Sequence, residues 1–265
     1  MIAVSTMLYS DLDLERAITA LASSNLFKDL ELSHIHLDGV NVDQFIKISE
    51  SISDLLSTYS LSMRIAHAPT VISEVPGEYE AFKRISSWLE ALSKAELEYV
   101  VIHSFYTRAS LDMKLLSWLQ KQFELNKRLL KRIDLYAKDL GLMIFVENSS
   151  KKWITTNLPQ DLIELIEDLE STKICFDVGH AHVNGYNLLE FYKYIRNYLG
   201  VVHLHDNDGT KDQHLPPYSG SVDWASLLKY FNKNNLYVLE VYGTSIKAAN
   251  MLKWLAHFVK INGMT

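Results

Sequence analysis

The sequence predicts a single-domain (β/α)₈ TIM barrel over residues 1–265. Short apolar runs rich in β-branched residues recur eight times along the chain, and a longer amphipathic segment follows each of them. No Pro/Gly/Ser-rich linker divides the chain. Strands that alternate with helices predict a parallel sheet, and eight such units close most simply into a barrel. A doubly wound open sheet is the alternative fold, but no GxGxxG motif follows the first run.

The predicted strands are about five residues long and apolar on both faces, as buried parallel strands are. In chain order they are Ile2–Thr6, Leu30–Ser33, Met63–His67, Tyr99–His103, Leu142–Glu147, Lys173–Asp177, Val201–His205 and Tyr237–Val241. The clearest helical segments between them are Leu111–Leu140, Asn187–Leu199, Asp223–Asn232 and Thr244–Ile261. Gly141 is a predicted stop signal for the longest helix, and Ser221 or Asp223 is a predicted N-cap.

The charge balance argues against binding to polyanions. The chain has 26 Lys and Arg against 32 Asp and Glu, a formal net charge of −6, and an acidic protein does not hold nucleic acid by charge alone. Cys175 is the single cysteine, so no internal disulfide can form and a reducing compartment is expected. The sequence shows neither a signal peptide nor the roughly 20 consecutive apolar residues of a membrane span. We therefore expect a cytoplasmic protein with no membrane partner.

Side chains able to bind metal end six of the eight predicted strands. In a barrel these strand ends converge at one mouth, where active sites lie. A carboxylate within an apolar run, as in IFVENS and YVLEV, costs several kcal/mol unless it is paired or bound to metal. Mixed imidazole and carboxylate ligands favour Zn²⁺, Mn²⁺ or Fe²⁺ over Ca²⁺. The strand-end residues are His67, His103, Glu147, Asp177, His203 with His205, and Glu240.

Two loops at the same mouth add further ligand types. His180 follows Asp177 by three residues in the segment CFDVGHAH, so both side chains can face one site. Asp212 and His214 are two residues apart in HLHDNDGTKDQHLPP, and in an extended segment they point to the same side. These loops predict that His180, Asp212 and His214 extend the ring of strand-end ligands.

The two histidines of the seventh strand are expected to have different roles. His203 and His205 share one face of the strand because they are two residues apart. The deeper histidine is the expected ligand, and the outer one is expected to contact substrate. His34 and His36 follow the second strand and could lie near the mouth, but no partner is evident in the sequence, and we interpret them as loop residues.

The strand-end motifs together resemble those of the xylose isomerase-like barrel superfamily, which includes sugar isomerases, epimerases and endonuclease IV. In these relatives the seventh-strand motif resembles His-Leu-x-Asp, with the histidine as a metal ligand. HLHD matches this motif from His203 to Asp206, so the resemblance implies that His203 is the ligand and His205 the second choice. The matching motifs are RIAHAP, VVIHS, FVENS, CFDVGHAH, HLHDNDGTKDQHLPP and VLEVY.

The isomerase and epimerase branch implies one divalent ion, Zn²⁺ or Mn²⁺, bound by Glu147, Asp177, His203 and Glu240. The ion would polarise a substrate carbonyl and an adjacent hydroxyl. The two glutamates would then remove and return a carbon-bound proton on either side of an enediolate. In this branch His180 would orient a substrate oxygen.

The endonuclease IV branch implies three zinc ions and a different reaction. A bridging hydroxide would attack a phosphodiester while the metal ions neutralise charge on the phosphate. Every ligand that this branch uses has a match here, so one set of residues implies two chemistries. The nine matching residues are His67, His103, Glu147, Asp177, His180, His203, Asp212, His214 and Glu240.

The loops around the mouth favour the sugar branch. A DNA enzyme needs basic loops there, whereas the segments SHIHLDGVN and APTVISEVPGEYE contain no Lys or Arg. We therefore predict a metal-dependent isomerase or epimerase of a small sugar, polyol or keto acid, with an apurinic-site endonuclease as the alternative. A metal-binding barrel without catalysis is a third hypothesis, and the paired Glu147 and Glu240 argue against it.

The predicted partner is a small sugar-like substrate, and nucleic acid is a partner only under the alternative. No Arg follows His205 as it does in some ketose epimerases, so the substrate class stays open. The sequence also leaves open whether the chain forms a homo-oligomer. The residues expected to contact substrate are His67, His103, His205, Trp153, Tyr106, Arg108 and Lys211.

Overall fold

The computed structural model describes residues 1–108 and 114–264 of the chain. Eight parallel strands form a closed barrel in chain order, and the first strand pairs with the last to close it. This architecture confirms the predicted TIM barrel. The strands are β1 (Ile2–Ser5), β2 (Asp29–Leu32), β3 (Ser62–His67), β4 (Tyr99–Ile102), β5 (Met143–Glu147), β6 (Thr172–Asp177), β7 (Leu199–Leu204) and β8 (Leu236–Leu239).

Helices surround the barrel and connect consecutive strands. Within the described residues, no helix is both long and apolar enough to cross a membrane. The α-helices are α1 (Leu14–Ser24), α2 (Val42–Tyr59), α3 (Glu78–Lys94), α4 (Leu115–Asp139), α5 (Pro159–Ile166), α6 (Val178–Val183), α7 (Leu188–Ile195), α8 (Trp224–Leu227) and α9 (Ser245–Ile261). Short 3₁₀ helices lie at Thr6–Tyr9, His34–His36, Thr70–Ile72, Thr155–Asn157 and Leu228–Tyr230.

Three predicted helices differ from the structure at their ends. The longest is α4, and residues 111–113 of its predicted segment lie outside the described residues. The helix predicted up to Leu199 ends at Ile195, because Leu199 already begins β7. The segment predicted as helix from Asp223 forms only the one-turn α8 and a 3₁₀ turn. Asp223 caps α8 by accepting a hydrogen bond from Ser226 N (3.1 Å), but the 3₁₀ turn buries no side chain that would hold a longer helix.

Side chains along each strand alternate between the two sides of the barrel wall. One set packs against the surrounding helices, as Val100 and Ile144 do. The other set fills the barrel interior, so the barrel is a packed core below its mouth rather than a pore. Gly200 leaves room for this packing, because a Cβ there would lie 2.3 Å from the ring of Phe145. We call the apolar interior residues the interior cluster: Ala3, Ile65, Val101, Phe145, Cys175, Val201, Leu236 and Val238.

Candidate metal centre

Four residues predicted to bind a single ion lie together at the C-terminal ends of β5 to β8. Glu147 and Asp177 are the last residues of β5 and β6, whereas His203 is the last but one of β7. Glu240 directly follows β8. All four are buried, and each offers a ligand atom within 4.8 Å of the others. Nδ1 of His203 lies 2.9 Å from Oε1 of Glu147 and 3.1 Å from Oε2 of Glu240. We call these four residues the central group.

A second group shares Glu147 with the first. His67 ends β3 and His103 directly follows β4. Their Nε2 atoms lie 3.2 Å and 2.7 Å from Oε2 of Glu147. We call His67, His103 and Glu147 the histidine group. Glu147 therefore joins two groups, with Oε1 facing His203 and Oε2 facing the other two imidazoles.

A third group lies on the segments that follow β6 and β7, and His180, predicted in a loop, lies in the short helix α6. His180, His205, Asp212 and His214 offer ligand atoms within 4.8 Å of one another, and we call them the loop group. Nε2 of His180 lies 2.8 Å from Oδ2 of Asp212, and Nε2 of His214 lies 3.5 Å from Oδ1. Asp177 holds the start of α6 by accepting a hydrogen bond from His180 N at 2.6 Å. The three loop residues singled out in the sequence thus lie side by side, and His205 joins them.

His205 is the most deeply buried member of the loop group. It is fully buried, and its Nε2 is 2.9 Å from both carboxylate oxygens of Asp177. Its ring stacks on that of His214 with 3.8 Å between centroids. Gly179 makes space for this ring, because a Cβ there would lie 2.0 Å from Cε1 of His205. The sequence predicts a substrate contact for His205, whereas the structure encloses its ring between Asp177, Gly179 and His214.

Backbone carbonyls determine which nitrogen three of these histidines present to the site. A carbonyl oxygen can only accept a hydrogen bond, so Nδ1 of each ring carries a proton and Nε2 faces the carboxylates. Nε2 is therefore the nitrogen available to bind metal. The Nδ1–H groups donate from His67 to Ala68 O (3.0 Å), from His180 to Asn148 O (2.8 Å) and from His214 to Glu240 O (3.0 Å).

Asp206 ties the loop that carries Asp212 and His214 to the barrel. Its backbone forms an antiparallel bridge with Leu215. Its side chain is buried and accepts a hydrogen bond from Nε1 of Trp224 at 2.8 Å. The aspartate of the HLHD motif is therefore a structural anchor of the loop, and its carboxylate is satisfied by the protein itself.

The buried charges of these groups shift one another's proton affinities. Burial opposes ionisation of Glu147, but hydrogen bonds from three neighbouring histidines hold its pKa well below the ordinary value of a glutamate. Burial also opposes a charge on His214, but the neighbouring carboxylates of Asp212 and Glu240 raise the pKa of His214 to about 9. The imidazoles thus supply the positive charge that the buried carboxylates require.

Several buried polar atoms at the mouth have no hydrogen-bond partner among the described residues. Native proteins rarely leave such atoms unsatisfied. Their concentration at one place, among imidazole and carboxylate donors, fits a bound divalent cation such as Zn²⁺ or Mn²⁺. The atoms are both carboxylate oxygens of Glu31, Nε2 of His203, Nδ1 of His205, Nδ1 of His34 and Oδ1 of Asp212.

A cavity of about 650 Å³ opens over the three groups. Its volume lies within the roughly 300–1,000 Å³ of small-molecule sites. His67, His103, Glu147 and Glu240 line it on the barrel side. Ser104, Ser149, Ser150, Tyr106 and Ile154 contribute to the outer wall, which offers hydroxyl groups beside apolar surface.

The residues predicted to contact substrate from the surrounding loops divide into two pairs. Tyr106 and Arg108 line the cavity, although Arg108 forms an ion pair with Glu74 at the rim. Trp153 packs its ring edge-on against Tyr106 and is 43% exposed. Lys211 is exposed. Neither Trp153 nor Lys211 is among the described residues that line the cavity.

Two residues of this site were missed by the sequence interpretation. Glu31 is fully buried in β2, where it lies 3.2 Å from His203. His34 lines the cavity 4.9 Å from the ring of His67, and burial together with that neighbour lowers the pKa of His34 to about 3. The signal for Glu31 was available, because the run LELS embeds a carboxylate in apolar residues as IFVENS does. No comparable pattern marks His34.

Comparison with known sequences identifies close similarity to one family. Residues 27–258 match the family model described as xylose isomerase-like TIM barrel. An uncharacterized protein of Methanocaldococcus jannaschii, MJ1614, is 27% identical over 255 residues, which cover 92% of this chain and 93% of that protein. Another from the same organism, MJ1311, is 29% identical over 147 residues, which cover 53% of this chain but only 48% of that relative.

Solved structures with the same fold cover nearly the whole chain. A D-tagatose 3-epimerase-like protein has a TM-score of 0.80 at 22% identity, with 99% of this chain and 98% of that chain covered. The IolI protein, crystallised with a binding zinc atom, has a TM-score of 0.75 at 14% identity, with the same coverage of 99% and 98%. At these identities the likeness shows a shared fold.

Proposed function

The chain belongs to the xylose isomerase-like TIM barrel family, and we propose that it is a divalent-metal-dependent isomerase or epimerase of a small sugar, polyol or keto acid. The arrangement of Glu147 and Glu240 carries this proposal. Both carboxylates are buried, both line the 650 Å³ cavity and both contact Nδ1 of His203. Two carboxylates at one small cavity can act as a proton-transferring pair.

The positions of the side chains indicate a separate chemical role for the central group, the two glutamates and His180. An ion bound by the central group would act as a Lewis acid towards a substrate carbonyl and the adjacent hydroxyl. One glutamate then removes a carbon-bound proton through a carboxylate oxygen, and the other returns a proton to the opposite face. His180 orients a substrate oxygen through Nε2, which faces the cavity beside Asp212.

The proposed substrate is small and sugar-like. The hydroxyl-rich outer wall offers hydrogen bonds to a polyol, and the D-tagatose 3-epimerase-like neighbour supports the same class. A panel of sugars, polyols and keto acids incubated with the metal-loaded protein in deuterium oxide tests the proposal. We expect deuterium at a substrate carbon, detected by NMR, for at least one member. Absence of exchange and of isomerised product across the panel would contradict proton transfer by Glu147 and Glu240.

The number of buried carboxylates favours a second candidate, a zinc-dependent phosphodiesterase of the apurinic-site endonuclease kind. One divalent ion cannot neutralise five of them, because an imidazole that binds metal is neutral and the basic side chains other than histidine in the described cavity lining are Arg108, which already pairs with Glu74, and Lys151. The central, histidine and loop groups offer donors for three ions. Four of the five are buried, Glu31, Glu147, Asp177 and Glu240, and the fifth, Asp212, is partly buried.

Counting the bound metal separates the two candidates. Protein purified without chelator is analysed by mass spectrometry of its metal content, and the same sample is incubated with a duplex that contains an abasic site. Under the preferred proposal we expect one ion per chain, lost in Asp177→Ala, and no strand cleavage. Three zinc ions together with cleavage at the abasic site would replace the isomerase by the phosphodiesterase.

A further inference from the structure

Glu31 is a carboxylate at a level of the barrel that is mostly apolar. It pairs in register with Ser5 of β1 and with Ile65 of β3. Ile65 belongs to the interior cluster, so Glu31 lies beneath the metal-binding mouth. Its side chain is fully buried. A buried carboxylate is strongly penalised unless a charge or a hydrogen bond compensates for it, so a partner is required.

The nearest candidate partner is His203. Oε1 of Glu31 lies 3.2 Å from Nε2 of His203. Neither atom has a hydrogen-bond partner among the described residues, so the 3.2 Å approach is a close contact between two unsatisfied polar atoms. The other nitrogen of the same ring, Nδ1, is hydrogen-bonded to Oε1 of Glu147 (2.9 Å) and lies 3.1 Å from Oε2 of Glu240, on the side of the carboxylates that would bind the ion. His203 therefore lies between Glu31 and the remainder of the central group, with one nitrogen facing each.

We propose that Glu31 is the positioning residue of His203. Its carboxylate would accept the hydrogen of Nε2–H, which would leave the lone pair of Nδ1 for an ion held by the central group. A neutral imidazole carries one proton, so a proton held at Nε2 leaves Nδ1 free to bind metal. Metal-bound histidines generally donate their second N–H to a carboxylate, a carbonyl or water, which fixes the ring.

The contrast with the other histidines supports this assignment. His67, His180 and His214 donate through Nδ1 to backbone carbonyls and present Nε2 to the site. His203 is turned the other way, with Nδ1 towards the carboxylates and Nε2 towards the barrel interior. At that depth the strand carbonyls are engaged in the sheet, so a side chain has to serve as the acceptor. Glu31 offers a carboxylate oxygen within reach of that nitrogen, and the Cys175 thiol is a second neighbour of the ring.

The inference rests on the proposed metal centre, but not on the substrate or on the reaction. It predicts that Glu31 affects metal affinity more than folding. Replacement by Leu suits the apolar surroundings and removes the acceptor, whereas replacement by Gln keeps an oxygen that can accept from Nε2–H. His203→Ala identifies the ion that His203 binds. Asp134→Asn is the matched control, because Asp134 is a buried carboxylate on α4 whose partners are backbone N–H groups and a hydroxyl.

The test measures zinc affinity by competition with a chromophoric chelator, and the thermal midpoint of the metal-free protein by circular dichroism. For the ion that is lost in His203→Ala, we expect Glu31→Leu to weaken zinc binding by about 10–100-fold. Glu31→Gln should recover part of this loss. The metal-free midpoint of Glu31→Leu should equal or exceed that of the parent chain. Asp134→Asn should lower the midpoint and leave zinc affinity unchanged.

The absorption spectrum of the cobalt-substituted protein distinguishes a positioning role from a structural one. Loss of a residue that only stabilises the fold would leave the visible cobalt bands unchanged. Glu31→Leu should shift the visible cobalt bands, because His203 loses its fixed orientation, and Asp134→Asn should not. Zinc affinity within threefold of the parent chain in both Glu31 variants, with unchanged cobalt bands, would overturn the inference and leave the metal centre intact. Unchanged zinc binding in His203→Ala would instead overturn the metal centre, and the role of Glu31 with it.

Discussion

Buried carboxylates at the two ends of the barrel differ in how the protein satisfies them. Asp134, at the N-terminal end of β6, accepts hydrogen bonds from Ser171 N (2.8 Å) and from Oγ1 of Thr172 (2.8 Å). At the C-terminal mouth, Oδ1 of the partly buried Asp212 has no hydrogen-bond partner among the described residues. A carboxylate satisfied by the protein stabilises the fold, whereas an unsatisfied one is available to a ligand.

Position at the mouth is not sufficient to make a carboxylate part of the site. Asp206 lies in the same loop as Asp212, yet its oxygens accept from Trp224 Nε1 and from the N–H groups of Asn207 and Val222. It resembles Asp134 in this respect. Carboxylates with a structural role are therefore recognised by the hydrogen bonds that they accept from the protein, and not by their location.

The largest expected effect is on turnover. Glu147→Gln and Glu240→Gln should each lower the rate of substrate proton exchange by about 10²–10⁴-fold, the usual contribution of a general acid or base. Asp134→Asn should keep the parent rate but lose about 1–3 kcal/mol of stability, because a buried donor is left unsatisfied. Exchange rates from NMR and unfolding in urea measure the two quantities. A glutamine variant within tenfold of the parent rate would remove that glutamate from the proposed pair.

Metal removal should lower stability at the mouth. An ion that binds only the folded state adds about 4 kcal/mol when its concentration is 1,000 times Kd. We expect chelation to abolish activity and to lower the thermal midpoint, and added Zn²⁺ or Mn²⁺ to restore both. Asp134→Asn should show the same metal-dependent shift from a lower starting midpoint. A midpoint that does not respond to either metal would mean that the mouth carboxylates are satisfied without one.

A smaller effect, on the free energy of unfolding, is expected for a substitution at Gly179. A Cβ at this position would lie 2.0 Å from the buried ring of His205, and overpacking of this kind costs about 1–3 kcal/mol. Gly179→Ala should therefore destabilise the metal-free protein in urea unfolding. In a His205→Ala background the same substitution should cost much less, since the ring is gone. Equal costs in both backgrounds would show that His205 does not require the glycine.

The smallest effects are expected at the rim of the cavity. Arg108→Ala should raise KM by a few-fold and leave kcat unchanged, because Arg108 lines the cavity but is largely exposed and paired with Glu74, and exposed ion pairs contribute little. Lys211→Ala is the matched control and should change neither constant, because Lys211 is exposed outside the lining. Steady-state kinetics measure both. A larger rise in KM for Lys211→Ala than for Arg108→Ala would reverse this assignment.

Much of the fold and of the ligand set follows from the sequence for one geometric reason. Parallel barrel strands all end at the same rim, so polar residues that end apolar runs must meet there. The ring of candidate ligands could therefore be collected from motifs such as FVENS and VLEVY, and the resemblance to xylose isomerase-like barrels singled out the central group within it. The position of Glu31 could not be predicted in this way. A carboxylate in the middle of a strand faces the barrel interior in one register and the surrounding helices in the other.

The tertiary structure decided in which direction each side chain points and therefore which of its atoms face the site. Strand register set Glu31 beneath His203, and loop carbonyls selected Nε2 as the nitrogen that His67, His180 and His214 present to the site. The fold also enclosed the ring of His205 against Gly179. The sequence by itself determined which residue types gather at the mouth. The packing around each ring determined which atoms face a ligand, because these orientations arise from contacts between segments far apart in the chain.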